Sequence, residues 1–297
     1  MKQKILYIAT IVSMLTACND NAEQSIVEAI ENPVFFSADI HSKNTGRMVD
    51  NQWEQQDAIG VFMLEPNSNK VIRQTQNKRY VLDGKDLLFK PASREDQIFY
   101  PNKDNVVFVA YYPQQDMKEV PYYSIDLSNQ EKESEIDLLY TDEPKIGNAT
   151  MPKVGLQMNH RLSRIEVNLK AGENLSPALL EKARVRLSKQ NTTAKFDILR
   201  NEPVTYFMTT AGNEEISFKK DGTSYSAIIL PQCGFGGRQV NITLTDGTTF
   251  THDIESDRVF GQGQKVVFNM TLHRAQKGTG KIKKLNISRC PWDYMPQ

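Results

Sequence analysis

The sequence is poor in the residues that build metal centres and disulfide frameworks. It contains 3 cysteines (Cys18, Cys233 and Cys290) and 4 histidines in 297 residues. No histidine stands in a metal-binding spacing such as His-x-x-x-His, and His160, which precedes an alternating run, is expected to be a strand-edge or surface residue. Cys233 and Cys290 form one disulfide or remain two separate thiols, because sequence alone cannot give the Cα separation that a bridge requires.

The sequence also has no excess charge of either sign. It carries 36 lysines and arginines against 36 aspartates and glutamates. Nucleic-acid binding needs a clustered basic surface, so this balance argues against a nucleic-acid partner. Neither a Gly-x-Ser-x-Gly elbow nor a complete phosphate-binding loop is present, so we predict no catalytic residue, no metal and no cofactor. Two carboxylates about 5–10 Å apart in a cleft would favour a hydrolase of the glycosidase type.

No apolar run is long enough for a transmembrane helix, which needs about 20 residues. The amino end has two early lysines, an apolar run to Leu15, and two small residues before Cys18. This order is typical of a secretory signal peptide, and Leu-Thr-Ala-Cys resembles the bacterial lipoprotein box, which is cut before its cysteine and lipidated on it. We predict a lipoprotein signal peptide over residues 1–17, lipidation of Cys18, and a polar, acidic tether over 18–32.

Elsewhere the apolar residues recur mainly with a period of two, as in strands with one face on a core and one in water. In residues 163–170, Ile165, Val167 and Leu169 alternate with polar or charged residues. Asp246-Gly247, between two such runs, predicts a hairpin turn. Further strands are predicted at 34–40, 58–64, 105–112, 183–187, 225–230, 240–244 and 265–272. Many short strands with little helix predict an all-β fold of one or two sandwiches.

The best helical segment is residues 174–183, where Ser176 can act as the N-cap and Pro177 suits the first turn. Residues 113–137 are expected to form a loop, because acidic and amide residues dominate the stretch after Pro121.

A domain boundary is predicted within residues 141–155, which contain two prolines and two glycines and have the mixed charge of a linker. We place the division near Pro152. The predicted domains are residues 33–152 and residues 153–297, after the signal peptide and tether.

Several short motifs occur in an order that resembles the fimbrillin-like proteins of Bacteroidetes. After the lipoprotein box and a first strand, a tryptophan at Trp53 leads to Asp-Ala-Ile-Gly-Val-Phe. The later motifs are Ala-Tyr-Tyr-Pro, Asp-Leu-Leu-Tyr, His-Arg-Leu-Ser-Arg, Leu-Pro-Gln and Phe-Gly-Gln-Gly-Gln-Lys-Val-Val-Phe-Asn-Met-Thr-Leu. The resemblance covers about residues 33–273, and the carboxyl-terminal sequence after it departs from the pattern.

The resemblance implies two tandem transthyretin-like β-sandwich domains, export as an acylated lipoprotein and display on the outer membrane. It implies a non-enzymatic subunit of a type V pilus, or the tip or anchor component of one, that mediates adhesion. In polymerising members a trypsin-like protease cuts after a basic residue near the start of the first domain. A strand from a neighbouring subunit then fills the groove that the lost strand leaves, which is β-strand addition in its donor-strand form.

Two segments of this sequence match those roles. Arg47, preceded by Gly46, lies where such a cut could fall, and Lys43 is the second candidate; the alternative is an ordinary surface arginine. Residues 281–287 place Leu285 and Ile287 on one face, as a donor strand would, and the alternative is a plain final strand of the second domain.

The alternative function is a non-polymerising outer-membrane lipoprotein that keeps Cys18 and binds a glycan or a host protein. An exposed aromatic cluster around Trp53 or Tyr111–Tyr112 would favour it. We predict instead that Trp53 and Trp292 are core or strand-end aromatics, because large aromatic side chains are usually substantially buried.

Overall fold

The structure, a computed structural model, describes residues 32–40, 53–203, 212–221, 224–232, 236–274 and 280–292. A 3-10 helix (Arg94–Asp96) and one α-helical turn, α1 (Glu133–Ile136), interrupt the strands of the amino-terminal part. The strands of this part, in chain order, are β1 (Phe35–Ile40), β2 (Ala58–Leu64), β3 (Lys78–Asp83), β4 (Leu88–Pro91), β5 (Val106–Tyr112), β6 (Tyr122–Asp126), β7 (Leu139–Thr141), β8 (Lys145–Gly147) and β9 (Lys153–His160).

The carboxyl-terminal part of the described chain has one 3-10 helix (Pro177–Leu179) and is otherwise built from strands and loops. Its strands are β10 (Ser163–Ala171), β11 (Arg184–Gln190), β12 (Thr193–Asp197), β13 (Glu202–Pro203), β14 (Glu214–Ser217), β15 (Lys219–Asp221), β16 (Ser224–Ile229), β17 (Gln239–Thr243), β18 (Thr249–Asp253), β19 (Gln264–Arg274) and β20 (Gly280–Pro291). The predicted all-β fold is confirmed. Within the described residues, no helix has the length and apolar character needed to cross a membrane.

The first sheet contains all the amino-terminal strands except β6, in the order β2-β3-β4-β1-β9-β7-β5-β8. Because β2 also pairs with β5, the sheet closes on itself and encloses a first core, which includes Phe36, Tyr80, Phe89 and Phe108. Alternation along each strand directs one set of side chains into this core.

The two strands that close this sheet are buried on both faces, which explains their unbroken apolar sequences. In β2, Ile59 and Val61 face the first core, while Phe62 packs on the outer face of the sheet. Gly60 lies directly against the ring of Tyr111, so the close approach of β2 and this ring requires a residue without a Cβ.

The carboxyl-terminal part forms two sheets packed as a sandwich. One has the order β15-β16-β10-β19-β20, with β10 and β19 parallel, and the other has the order β14-β11-β17-β18. A second core fills the space between them and includes Val167, Leu187, Phe250 and Phe268. The predicted hairpin turn joins β17 and β18, and Gly247 adopts a φ of +82° there.

A third sheet and a shared core join the two parts. The third sheet, β13-β12-β6, pairs β6 of the amino-terminal part with β12 of the carboxyl-terminal part. The shared core draws on both parts and includes Phe62, Tyr111, Tyr140, Phe196 and Trp292. The outer face of the first sheet is thereby covered by residues that come later in the chain.

Most of the predicted strands are confirmed to within a few residues: the eight predicted segments correspond to β1, β2, β5, β10, β11, β16, β17 and β19. The predicted helix at 174–183 is wrong beyond one 3-10 turn, in which Ser176 makes no side-chain capping bond. Helix nucleation is unfavourable, and one turn adds too few hydrogen bonds to offset it. The chain cannot extend the helix further, because β11 begins at Arg184. The expected loop at 113–137 contains β6 and α1.

The division into two domains near Pro152 stays a prediction. The strand pairing shows where the sheets change: β9 pairs with β1 and with β7 of the first sheet, so residues 153–160 belong to that sheet. The second set of sheets begins at Ser163, after the turn at Arg161.

Candidate functional site

β1 is the first strand of the described chain, and it lies inside the first sheet rather than at an edge. It pairs in parallel with β9 from Phe35, opposite Lys153, to Ile40, opposite Met158. On its other side, Phe36 lies opposite a residue of the antiparallel strand β4. Removal of β1 would leave a groove between β4 and β9 with unpaired backbone groups on its walls, which is the state that an added strand satisfies.

The side chains of β1 close one wall of the first core. Val34, Phe36 and Ala38 are buried, while the residues between them are partly exposed. The ring of Phe36 packs edge-to-face against Tyr80 and Phe108, with centroid distances of 4.9 and 5.2 Å. Removing a buried phenylalanine side chain costs about 3–5 kcal/mol. A vacated groove would therefore be apolar as well as unpaired.

Hydrogen bonds hold both ends of the β1 segment. The Val34 amide donates to the Ile98 carbonyl oxygen at 3.0 Å. At the other end, Trp53 Nε1 donates to the Ala38 carbonyl oxygen at 2.6 Å, and its ring packs edge-to-face against Phe89 at 5.2 Å. Trp53 thus fixes the end of a strand that precedes it by more than ten residues.

Near β1, buried tyrosine hydroxyl groups form hydrogen bonds with the backbone and with a carboxylate, and these hydroxyl groups are uncharged. Tyr80 Oη accepts a hydrogen bond from the Ile98 amide at 3.0 Å, and Tyr112 Oη donates to Asp57 Oδ1 at 2.9 Å. Burial raises the pKa of Tyr80, and burial together with the Asp57 charge raises the pKa of Tyr112. Burial also raises the pKa of Tyr100 to about 12. These hydroxyls stay protonated at physiological pH.

The predicted processing and lipidation residues lie outside the described residues. These are Cys18, Lys43 and Arg47. The described chain stops at Ile40 and resumes at Trp53, so the predicted cut falls between the end of β1 and its indole contact.

Cys233 also lies outside the described residues, and its pairing with Cys290 stays a prediction. Cys290 is half-buried on β20 and forms no disulfide with a described residue, and its Sγ lies 3.8 Å from the Lys265 carbonyl oxygen. Burial raises the pKa of this thiol, so Cys290 is held in its protonated, less reactive form.

The candidate donor segment, residues 281–287, lies within β20, the last described strand. β20 pairs with β19 of its own chain from Gly280, opposite Arg274, to Pro291, opposite Gln264. Ile282 and Ile287 pack against the second core, whereas 37 % of Leu285 is exposed. In this structure the segment is therefore the edge strand of a carboxyl-terminal sheet, and it packs on its core through one face.

The aromatic residues around Trp53 form core contacts. Tyr111 and Tyr112 are buried, and Trp53 is half-buried against the first core. Trp292 is buried in the shared core. The prediction of core or strand-end tryptophans is confirmed, and the cluster that would have favoured glycan binding at Trp53 is enclosed.

His160 differs from its prediction. It ends β9, as expected of a strand-edge residue, but its side chain is buried rather than at the surface. Its Nδ1 lies 2.8 Å from Asp137 Oδ2, and its ring stacks on Trp292 with a centroid distance of 4.3 Å. The partners are far apart in sequence, so no local pattern could have revealed this contact. The described residues contain no group of three or more potential metal ligands.

These features define the class of the protein. It is an all-β protein in which an amino-terminal strand, β1, completes both a closed sheet and the core inside that sheet. The chain belongs to the fimbrillin-like family, because the family model described as Fimbrillin-like matches residues 46–290. The resemblance that the motifs indicated is thereby confirmed. This is a family of fimbrial and cell-adhesion structural proteins.

Similar proteins come from Bacteroides species. A candidate fimbrium subunit of Bacteroides uniformis, Fim1C, is 26 % identical over 285 residues, covering 93 % of this chain and 92 % of that protein. Crystal structures of two candidate cell adhesion proteins share the fold. The one from Bacteroides uniformis has a TM-score of 0.71 at 24 % identity (88 % of this chain, 100 % of that one). The one from Bacteroides ovatus has a TM-score of 0.68 at 18 % identity (90 % and 99 %).

Proposed function

We propose that this chain is a cell-surface subunit of a type V pilus, acting as a stalk, tip or anchor component that mediates adhesion. Membership of the fimbrillin-like family and the relation to Fim1C over most of both chains support this role. The protein is exported as a lipoprotein and held on the outer membrane through acylated Cys18, because several acyl chains anchor a protein firmly where one does not.

Assembly proceeds by exchange of β1. The observation that carries this step is that β1 is an interior strand of the first sheet, and that Phe36 and Ala38 of this strand, with Val34 just before it, are buried in the core. A cut after Arg47 separates β1 from the rest of the domain. A strand from a neighbouring subunit then restores both the backbone pairing and the apolar wall.

The donor strand of this chain is residues 281–287 of β20. As an edge strand, β20 pairs with one strand among the described residues, β19, and Ile282 and Ile287 provide an apolar face. Donation requires the pairing with β19 to open, and insertion between two strands of another subunit compensates for that loss with pairing on two sides.

The amino-terminal residue of fibre material sheared from the cell surface tests this proposal. We expect wild-type fibres to begin at Met48. The variant Arg47→Ala should retain lipidated Cys18, remain bound to the cell and form no fibres, whereas the matched control Lys43→Ala should behave as wild type. Sheared fibres that begin only at Cys18 would show that assembly does not use this cut.

The second candidate function is the non-polymerising lipoprotein that binds a glycan or host protein. It is favoured by the pairing of β20 with β19 along almost the whole of both strands, which leaves the donor segment occupied within its own chain. This candidate predicts a monomeric, cell-bound protein with an intact Cys18 terminus in both wild type and Arg47→Ala.

A further inference from the structure

A polar cleft of about 520 Å³ lies where the two parts of the chain meet. Its walls come from the turn between β9 and β10, the loop before β19 and the end of β20. The cleft therefore joins two sequence motifs, His-Arg-Leu-Ser-Arg and Phe-Gly-Gln-Gly-Gln, that β1 exchange does not use. The lining residues are Asp142, Asn159, His160, Arg161, Gln262, Gly263, Gln264, Arg289, Cys290 and Pro291.

Hydrogen bonds fix the loop at residues 261–263, which forms one wall of the cleft. The Gly263 amide donates to the Leu162 carbonyl oxygen at 2.8 Å, and the Trp292 amide donates to the Gly263 carbonyl oxygen at 3.0 Å. Ser163 Oγ donates to the Gly261 carbonyl oxygen at 2.6 Å. Gly263 has a φ of +63°, a conformation that favours glycine. The loop is thus fixed, and the side chain of Gln262 next to it is exposed.

Two guanidinium groups, those of Arg161 and Arg289, line this cleft, and neither forms a close ion pair with a carboxylate among the described residues. Arg161 Nη2 reaches only the Thr141 carbonyl oxygen, at 3.4 Å, and its guanidinium carbon lies 5.1 Å from the centre of the Tyr140 ring. Its buried Nε makes no hydrogen bond. Burial lowers the pKa of Arg161, and Tyr140 and the nearby Asp142 carboxylate oppose this shift. Arg289 on β20 is exposed and makes no ion pair with a described residue.

Besides the two guanidinium groups, the cleft contains amide and carboxylate side chains that can form hydrogen bonds. Asn159 Nδ2 donates to Asp142 Oδ1 at 2.5 Å, so the nearby carboxylate is engaged by an amide. Gln264 Oε1 is buried and has no donor among the described residues. Buried polar groups are nearly always paired, so these groups are available for hydrogen bonds to a polar ligand in the cleft.

We propose that this cleft binds an acidic sugar, with Arg161 and Arg289 on its carboxylate and the amides of Asn159 and Gln262 on its hydroxyls. The planar fork of a guanidinium matches a carboxylate, and charge-assisted hydrogen bonds are stronger than neutral ones. The volume is within the range of small-ligand sites. The lining offers only Pro291 and Cys290 as apolar contacts, so it suits a saccharide better than a peptide anchored by apolar side chains.

The test is an NMR or calorimetric titration of the intact, monomeric chain with N-acetylneuraminic acid and glucuronic acid, and with glucose as the neutral sugar. We expect both acidic sugars to bind, glucose not to bind, and the affinity to fall as salt is added. Arg289→Gln should weaken binding about tenfold or more, because a hydrogen bond between charged groups is lost. Arg289 is exposed, so this variant should fold normally.

Arg161→Lys keeps the charge but loses the fork, and it should also weaken binding. The matched control is Arg184→Gln on β11, an exposed arginine outside the cleft, which should bind as wild type. Equal binding of glucose, unchanged binding by Arg289→Gln, or tighter binding of a glutamate-rich peptide than of either acidic sugar would overturn the proposal. Because the titration uses the monomer, its result is independent of whether Arg47 is cut or fibres form.

Discussion

At the scale of single residues, His252 shows how a partly buried imidazole affects stability. It lies on β18, and its ring packs on Phe268 with a centroid distance of 5.7 Å. Its Nε2 is buried and has no hydrogen-bond partner in the described chain. Burial lowers the pKa of His252 below its ordinary value, although Glu255 and Asp253 oppose the shift and Arg258 adds to it.

This lowered pKa predicts a stability that depends on pH. The unfolded chain binds a proton as pH falls through about 6.5, whereas the folded chain does not, so stability falls in that window and is fully present above it. We expect His252→Leu to lose this component, so that its free energy of unfolding changes less than that of wild type between pH 8 and pH 5.5. Urea unfolding of both proteins at the two pH values measures it. Equal pH dependence would contradict the assignment.

The burial of single residues can be predicted from the sequence in some cases and not in others. Trp53 and Trp292 could be predicted as core or strand-end aromatics from residue type alone, because large aromatics are usually buried. The burial of His160 could not, because it depends on Asp137 and on Trp292, which lies more than a hundred residues further along the chain.

At the scale of elements, the two faces of β1 differ in burial. Phe36 is fully buried in the first core, whereas its neighbour Phe35 is half-buried on the other face. Both residues are phenylalanines, and their side chains differ only in the face of the sheet to which they point.

We therefore expect Phe36→Ala to lower the free energy of unfolding by about 3–5 kcal/mol and Phe35→Ala to lower it by clearly less. Urea titrations followed by circular dichroism measure both. Equal losses would mean that β1 is not seated in the groove as described. After the proposed cut at Arg47 and before a donor strand enters, Phe36→Ala should also speed release of β1, since the same ring holds this strand in place.

Element prediction succeeded where the hydrophobic pattern was strong and failed where pairing partners were distant. β10 and β19 follow from their apolar residues, and the β17–β18 hairpin follows from Asp246-Gly247. The loop predicted at 113–137 is wrong at β6, because its partner β12 lies about seventy residues away and no local signal marks the pair.

At the scale of the whole molecule, the shared core couples the two parts. Tyr140 Oη donates to the Ile198 carbonyl oxygen at 2.7 Å, and both groups are buried. The β6–β12 pairing adds backbone hydrogen bonds across the same junction. Such a junction favours cooperative unfolding of both parts, since opening it exposes apolar surface on each.

We expect one unfolding transition, with the same midpoint for Trp53 fluorescence in a Trp292→Phe background and for circular dichroism. Tyr140→Phe should lower stability by about 1–3 kcal/mol and keep the transition single, because it leaves a buried carbonyl unpaired. Tyr122→Phe is the matched control, since the Tyr122 hydroxyl makes no hydrogen bond to a described residue, and it should change stability little. Two separate midpoints would instead show independently folding domains.

The all-β class, most strand positions and the fimbrillin-like family can be read from the amino-acid sequence, because side-chain alternation and short ordered motifs are local properties of the chain. The interior position of β1, the place of β9 in the first sheet and the meeting of Arg161 and Arg289 in one cleft are visible only in the folded chain. These facts depend on pairing and packing between residues far apart in the chain, which periodicity does not encode.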